Sequence, residues 1–426
     1  MFLAFPPFFQ HYVNDVLYRN DAVPGVTLQE IVVGNLVSHQ MVSCQSAVGA
    51  DHPVSGQKRS GDESRPLRQE PKLYDHHHGT CSAKTRLVFL KTHKTGSTTL
   101  ASIFERFGYY NNLTFALPPT RHFYEPVESL FVRTNMAQIE SKHLPAFKKN
   151  TWEGYDFLTN HVRYNRPEMD AVVHNATYVT ILRSPVDQFE SAFGYYEMAI
   201  HAGLAKVGNP IEYFMKKPEQ FFKKKFTAWY WSQNAQLYDL GLDHFYHNDT
   251  FTLGYKIKQF DFEFDLVLIT EYFDESLLLL RKLMCWEWED ILYLPKGIRS
   301  NSHRQKLSPE LRRKIQAWNG ADARLHEHFN KTLWRKIHEY GPEFDADLAF
   351  FRSKRERLKD QCIAVNSTNK RDQREVKTML KKDADVLCHR VYQDDVMYTR
   401  MIRQRMTDDG LLVNKQKTKS TLVKKQ

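Results

Sequence analysis

Lys91 and Lys94 stand three residues apart in KTHKTGSTT, with Gly96 and the hydroxyl residues Thr92, Thr95, Ser97, Thr98 and Thr99 around them. Two cations, a glycine and a run of hydroxyl donors make a composition suited to an anion. Lysine supplies a mobile full charge, and glycine lets the backbone approach a ligand closely. His93 lies between the lysines, and His161 lies in NHVRY. Imidazole is the side chain that exchanges a proton near neutral pH. A second constellation, ILRSPVDQFESAF, carries Arg183, Pro185 and Ser191. A fork donor and a hydroxyl are groups that can hold an anion.

These side chains need elements that hold them. Leu87 to Leu90 is a short continuous apolar run, which predicts a strand buried on both faces of a parallel sheet. Leu100, Ile103, Phe104 and Phe107 follow at helical spacing, predicting a helix over 98–107. A strand that turns directly into a helix presents free backbone N–H groups and the positive end of the helix dipole. The stretch is not a Walker A loop. GxxxxGK[ST] requires a second glycine with the lysine after it, and here both lysines precede the one glycine. Triphosphate hydrolysis, and with it a P-loop nucleotide kinase, is therefore disfavoured.

Further strands are predicted over 177–182, ahead of the helix that bears Ser191, and over 266–269. Leu277, Leu280, Met284, Trp288 and Ile291 keep helical spacing and read as core. Phe131 to Lys149 reads as a weak helix. Ser308-Pro309 marks a capped helix start, and Gly341-Pro342 stops the face of Leu325, Phe329, Leu333 and Ile337. Strands alternating with helices predict an α/β fold with a central parallel sheet flanked by helices.

The chain has 426 residues, of which 42% are hydrophobic, enough for a real core. Its net charge is +10, but residues 366–426 hold fifteen Lys/Arg against eight Asp/Glu, a net of +7. The basic excess is thus mostly a property of the tail, and no nucleic-acid surface is expected on the folded body. Lys370 to Arg405 reads as helical, and its Asp/Lys/Arg mixture suggests a solvated face. Five cysteines occur without a CxxC pair, and His76 to His78 have no partner cluster, so no metal is expected. Five Asn-X-Ser/Thr sequons, at Asn112, Asn175, Asn248, Asn330 and Asn366, lean towards a secretory lumen, where disulfides are permitted. Cys285–Cys362 and Cys362–Cys388 are competing pairings that sequence does not separate. Met1 to Phe9 is apolar but short and broken by Pro6 and Pro7, whereas a span takes ~20 apolar residues. No transmembrane helix is visible.

The two phosphate-type motifs, in this order on strand–helix units, resemble those of Golgi carbohydrate sulfotransferases. KTHKTGSTTL, FGYYNNLTFALP, NHVRY, ILRSPVDQFESAFGYY and EYFDESLLLLRKLMCWEWEDILY are most similar to the galactose 3-O-sulfotransferases, a family that includes the galactosylceramide (cerebroside) enzymes. The resemblance runs from about Lys84 to Cys362. It implies a Golgi luminal enzyme with a P-loop-like α/β sulfotransferase fold and without a metal. Such an enzyme moves a sulfuryl group from 3′-phosphoadenosine 5′-phosphosulfate (PAPS) to the 3-hydroxyl of galactose on a glycolipid or glycan. It implies that Lys91, Thr92, Lys94, Thr95, Gly96, Ser97 and Thr98 hold the 5′-phosphosulfate, and that Arg183 and Ser191 hold the 3′-phosphate. Lys94 is expected on the leaving oxygen. His161, similar in place to a histidine of the uronyl 2-O-sulfotransferases, is the expected base, ahead of His93; Glu190 or Glu271 are carboxylate alternatives. The family's Golgi location implies membrane association, although its signal-anchor helix is not seen here. The expected organisation is a largely disordered stem over 1–80, the sulfotransferase domain over 81–365, and a basic extension over 366–426. A non-catalytic PAPS- or glycan-binding relative is the alternative reading.

Overall fold

The structure is a computed structural model that describes residues 81–120, 122–137, 154–294, 306–364 and 378–412. His76 to His78, Asn366 and the expected stem lie outside the described residues.

Four parallel strands form the centre: β1 (Leu87–Leu90), β2 (Phe157–Leu158), β3 (Thr177–Leu182) and β4 (Leu266–Ile269), in the spatial order β2-β1-β3-β4. Leu87 pairs with Phe157 on one side and Thr177 on the other, and Leu182 pairs with Ile269. Every residue of these strands is buried. That is why β1 and β4 read as continuous apolar runs rather than alternating ones. The three longer strands fall at the expected residues. Strand β2 has only two residues, too few for a periodic signal.

Each of the three longer strands feeds a helix: α1 (Ser97–Tyr110) after β1, α2 (Pro185–Tyr195) after β3, and, downstream of β4, α4 (Phe273–Met284), with α3 (Thr250–Glu263) leading into β4. Helices α5 (Pro309–Trp318), α6 (Gly320–Tyr340) and α7 (Phe344–Cys362) follow. The Ser308 side chain accepts from Leu311 N at 3.1 Å, satisfying an otherwise orphaned donor at the start of α5. In a sheet of this order the chain leaves β1 in one direction and returns on its other side as β3. The crevice above the carboxyl ends of β1 and β3 is thus the switch point, where such folds bind ligands.

Several expectations are corrected. Helix α4 stops at Met284 rather than running to Ile291, because Cys285 takes a left-handed conformation (φ 52°). Ile291 is still buried, in the turn that follows. The weak helix expected from Phe131 is a single 3-10 turn, Arg133–Asn135, with residues 138–153 outside the described set. Cys285 pairs with Cys81, not Cys362, since Lys84 N donates to Met284 O and brings the start of β1 to the end of α4. Cys362 pairs with Cys388.

The C-terminal stretch is not a solvated face. Helices α8 (Val386–Tyr392) and α9 (Asp395–Asp408) join the body, and Tyr398, Ile402 and Met406, spaced by four, are at most 1% exposed. This stripe packs α9 along α1. The described residues past 365 belong to the same compact unit as the sheet. Among the described residues no helix is long and apolar enough to cross a membrane.

Candidate active site

The loop between β1 and α1 turns through two left-handed residues, Lys94 (φ 62°) and Gly96 (φ 79°). A Cβ at Gly96 would meet only Thr270 Cγ2 at 3.7 Å, so glycine is required by the backbone angle and not by space. Helix α1 has no side-chain cap and no acidic residue in its first turn. Its leading N–H groups are therefore open to an anion. Gly96, Ser97, Thr98 and Thr99 border a cavity of about 550 Å³, within the ~300–1,000 Å³ usual for small-ligand sites.

Two of the loop hydroxyls do not point into it. Thr92 Oγ1 donates to Ile181 O (2.5 Å) and lies 2.8 Å from Thr95 Oγ1, and both residues are fully buried. The Thr92 hydroxyl satisfies a carbonyl of β3 and the Thr95 hydroxyl that of Thr92, at 3.2 Å, rather than facing the cavity as the expectation of added donors had them. Ser97 Oγ donates to Thr92 O at 2.6 Å, although Ser97 borders the cavity. Thr270 Oγ1 donates to Thr95 O and Leu182 O, tying the loop to the ends of β3 and β4.

The cations divide. Lys91, 3% exposed, makes a buried ion pair with Asp395 from the start of α9. Lys94 Nζ sits 3.5 Å from the centroid of the Tyr195 ring at the cavity rim. Arg183 Nη1 donates to Lys94 O at 3.1 Å, and the Arg183 main chain is held at both ends by the Gln236 amide (2.8 and 2.9 Å). Arg183 and the half-buried Ser191 both line the cavity. The two motifs, about ninety residues apart, thus meet in one space.

Both histidines also line it, with their rings stacked 4.1 Å apart at 14°. His161 Nδ1–H donates to the Lys91 carbonyl at 3.1 Å. Its burial, with the charge of Lys91 adding to the effect, pushes its pKa well below the ordinary value. His93 has a different partner. Its Nδ1 lies 2.9 Å from both oxygens of Asp239, and its backbone N–H donates to the same carboxylate at 2.7 Å. Trp231 Nε1 donates to Asp239 as well, at 3.2 Å, and the Trp231 ring packs 4.0 Å from His93. With Nδ1–H given to Asp239, Nε2 carries the free lone pair. The geometry is that of an imidazole oriented by a carboxylate, which is able to accept a proton at Nε2.

Sequence reading missed Asp239, Trp231 and Asp395. Asp239 lies 146 residues from His93, and Asp395 lies 304 from Lys91, with no motif around either. Glu190 and Glu271 do not border the cavity. Glu271 instead accepts from Ser184 N at 2.8 Å and His326 Nε2 at 3.3 Å. Of the sequons, Asn112, Asn175 and Asn248 are exposed, whereas Asn330 lies half-buried within α6 with its Oδ1 enclosed.

A family model described as Galactose-3-O-sulfotransferase matches residues 24–387. The chain is 35% identical over 288 residues to a galactosylceramide sulfotransferase of Bos taurus, a match covering 67% of this chain and 66% of that one. It is 35% identical over 303 residues to galactose-3-O-sulfotransferase 3 of Mus musculus, covering 70% and 66%, and 31% identical over 293 residues to galactose-3-O-sulfotransferase 2 of Sus scrofa, covering 68% and 71%. The chain therefore spans about two thirds of the length of these relatives. Among solved structures, a sulfotransferase from Alicyclobacillus acidocaldarius is similar over 57% of this chain and 96% of that one, at 14% identity and a TM-score of 0.32, too slight a likeness to bear on the fold. From the family match, this chain belongs to the galactose-3-O-sulfotransferase family.

Proposed function

We propose that this chain transfers a sulfuryl group from PAPS to the 3-hydroxyl of a galactose on a glycolipid or glycan. The observation that carries the reading is the convergence, on one cavity, of an uncapped helix start, Lys94, Arg183 and an imidazole oriented by a carboxylate. The donor set fits PAPS: open N–H groups and an ammonium from the β1–α1 loop, joined by a guanidinium and a hydroxyl from the second motif. PAPS supplies the activated sulfuryl group. The residues that would hold it are Lys94, Gly96, Ser97 and Thr98 for the 5′-phosphosulfate, and Arg183 and Ser191 for the 3′-phosphate.

The chain's own work is then positioning, charge neutralisation and proton removal. Lys94 leaves the Tyr195 ring to meet the charge that develops on the leaving phosphate. His93, rather than the expected His161, takes the proton of the galactose hydroxyl at Nε2, because Asp239 fixes its tautomer and stabilises the imidazolium that forms. His161 remains neutral and supports the His93 ring from one side. No metal is needed in this scheme.

A secretory, Golgi-luminal location is part of the same proposal. Two disulfides and three exposed sequons support it, as does the family. The test is label transfer from PAPS to galactosylceramide and to N-acetyllactosamine, each against an acceptor lacking terminal galactose. Label on either galactose acceptor alone identifies the acceptor branch. Donor binding without transfer to any galactose acceptor would favour the binding-only relative.

A further inference from the structure

Helix α9 begins at the wall of the donor cavity. Asp394, its N-cap, and Asp395, its first residue, both line that cavity beside the β1–α1 loop. The Asp395 carboxylate accepts from Lys91 Nζ, and the two side chains are 8% and 3% exposed. Behind the pair lies Glu105 of α1, 1% exposed, which accepts from Thr159 Oγ1 at 2.9 Å and from Thr399 Oγ1 of α9 at 3.4 Å. Asn160, the neighbour of His161, donates to Thr399 Oγ1 at 3.0 Å. Burial, and then the negative charge of Asp395, raise Glu105 well above the usual carboxylate range against the pull of Lys91. Asp395 is the counter-ion of Lys91.

Lys91 is also bound at its other end. Its carbonyl accepts from His161 Nδ1, and two residues on, His93 is held by Asp239. The C-terminal helix, the loop and the stacked histidines form one connected set. Lys91 borders the cavity, but its ammonium is already held by Asp395. We propose that Asp395 is a positioning residue of the donor site: it pins Lys91 so that Lys94 and the first turn of α1 receive the phosphate while the two histidines keep their place. The inference rests on the reading that this loop holds a phosphorylated donor. It makes the segment after Cys388 part of the active site rather than an appendage.

The experiment is titration calorimetry of the full chain with adenosine 3′,5′-bisphosphate, alongside initial rates, for wild type, Asp395→Asn and Asp395→Glu. Wild type must bind the nucleotide; if it does not, the donor reading itself fails. Given that binding, Asp395→Asn is expected to weaken it at least tenfold and to lower kcat by a similar factor, with wild-type far-UV circular dichroism. Asp395→Glu restores much of both, which loss of packing alone would not allow. Should the asparagine variant not fold, Asp395→Ser, which leaves room for a water, replaces it with the same readings. Unchanged affinity and kcat would overturn the proposal. So would tighter binding, which would make Asp395 a competitor for the phosphate and Lys91 its direct contact.

Discussion

The rings of His93 and His161 stack 4.1 Å apart, yet only His93 has a carboxylate on its Nδ1, that of Asp239 at 2.9 Å. The other imidazole donates to a main-chain carbonyl and is kept neutral by burial. Two histidines in one cavity are thereby given different chemistry by their second nitrogens.

It follows that His93→Gln and Asp239→Asn should each lower kcat by about 10²-fold or more, since each removes the oriented base. Affinity for adenosine 3′,5′-bisphosphate should be nearly unchanged in His93→Gln. His161→Gln should cost clearly less in kcat. Steady-state rates and calorimetry on the three variants check this. A larger kcat loss in His161→Gln than in His93→Gln would return the base to His161.

The same burial has a signature in stability. The folded pKa of His161 is depressed from 6.5, so below that value the unfolded chain binds a proton that the folded one does not. Its contribution is present above pH 6.5 and is lost as pH falls towards the folded value. Wild type should therefore lose about 1.4 kcal/mol per pH unit relative to His161→Gln over that window. Urea unfolding of both proteins at pH 7.5 and pH 5.5 measures the difference. A gap that does not change with pH would mean that His161 titrates alike in the folded and the unfolded chain.

Arg183 and Lys94 should separate by function. Arg183→Ala should weaken adenosine 3′,5′-bisphosphate binding by about 1.5–3 kcal/mol, the worth of a charge-assisted contact. Lys94→Ala should act on kcat more than on that affinity, because its charge meets the leaving phosphate. Equal affinity for the bisphosphate in Arg183→Ala would contradict the assignment of the 3′-phosphate.

The Cys362–Cys388 bridge closes a separation of 26 residues between α7 and α8. Chain entropy alone assigns such a loop about 3–4 kcal/mol. The Cys362→Ser, Cys388→Ser double variant should lose stability of that order in urea unfolding. It should also bind the bisphosphate more weakly, because α8 leads into the helix that bears Asp395. A destabilised variant with wild-type affinity would uncouple the bridge from the site.

Glycan mapping of secreted protein should find occupancy at the exposed Asn112, Asn175 and Asn248 and none at Asn330, whose amide oxygen is enclosed within α6. Occupancy at Asn330 would require α6 to be open when the transferase acts.

The sheet was legible because burial on both faces leaves no polar alternation to confuse. Leu87–Leu90, Thr177–Leu182 and Leu266–Ile269 could be read directly as strands. The turn between β1 and α1 was legible because its residues are local to one stretch. Thr92 and Thr95 were placed in the loop correctly, but composition does not say which way a hydroxyl points. Asp239 and Asp395 were not legible, because each acts through one long-range contact and carries no local pattern. The mixed charges of α9 concealed its stripe of Tyr398, Ile402 and Met406, three apolar residues among many polar ones.

The central claim is sulfuryl transfer to O3 of galactose, and it is tested most directly by the position of label in the product. Wild type and His93→Gln would be incubated with labelled PAPS and galactosylceramide or N-acetyllactosamine, and the product examined by NMR. The account predicts sulfate on the galactose 3-hydroxyl with wild type, and a rate lower by about 10²-fold with the variant. Sulfate at another hydroxyl, or no transfer by a wild type that binds adenosine 3′,5′-bisphosphate, would contradict it.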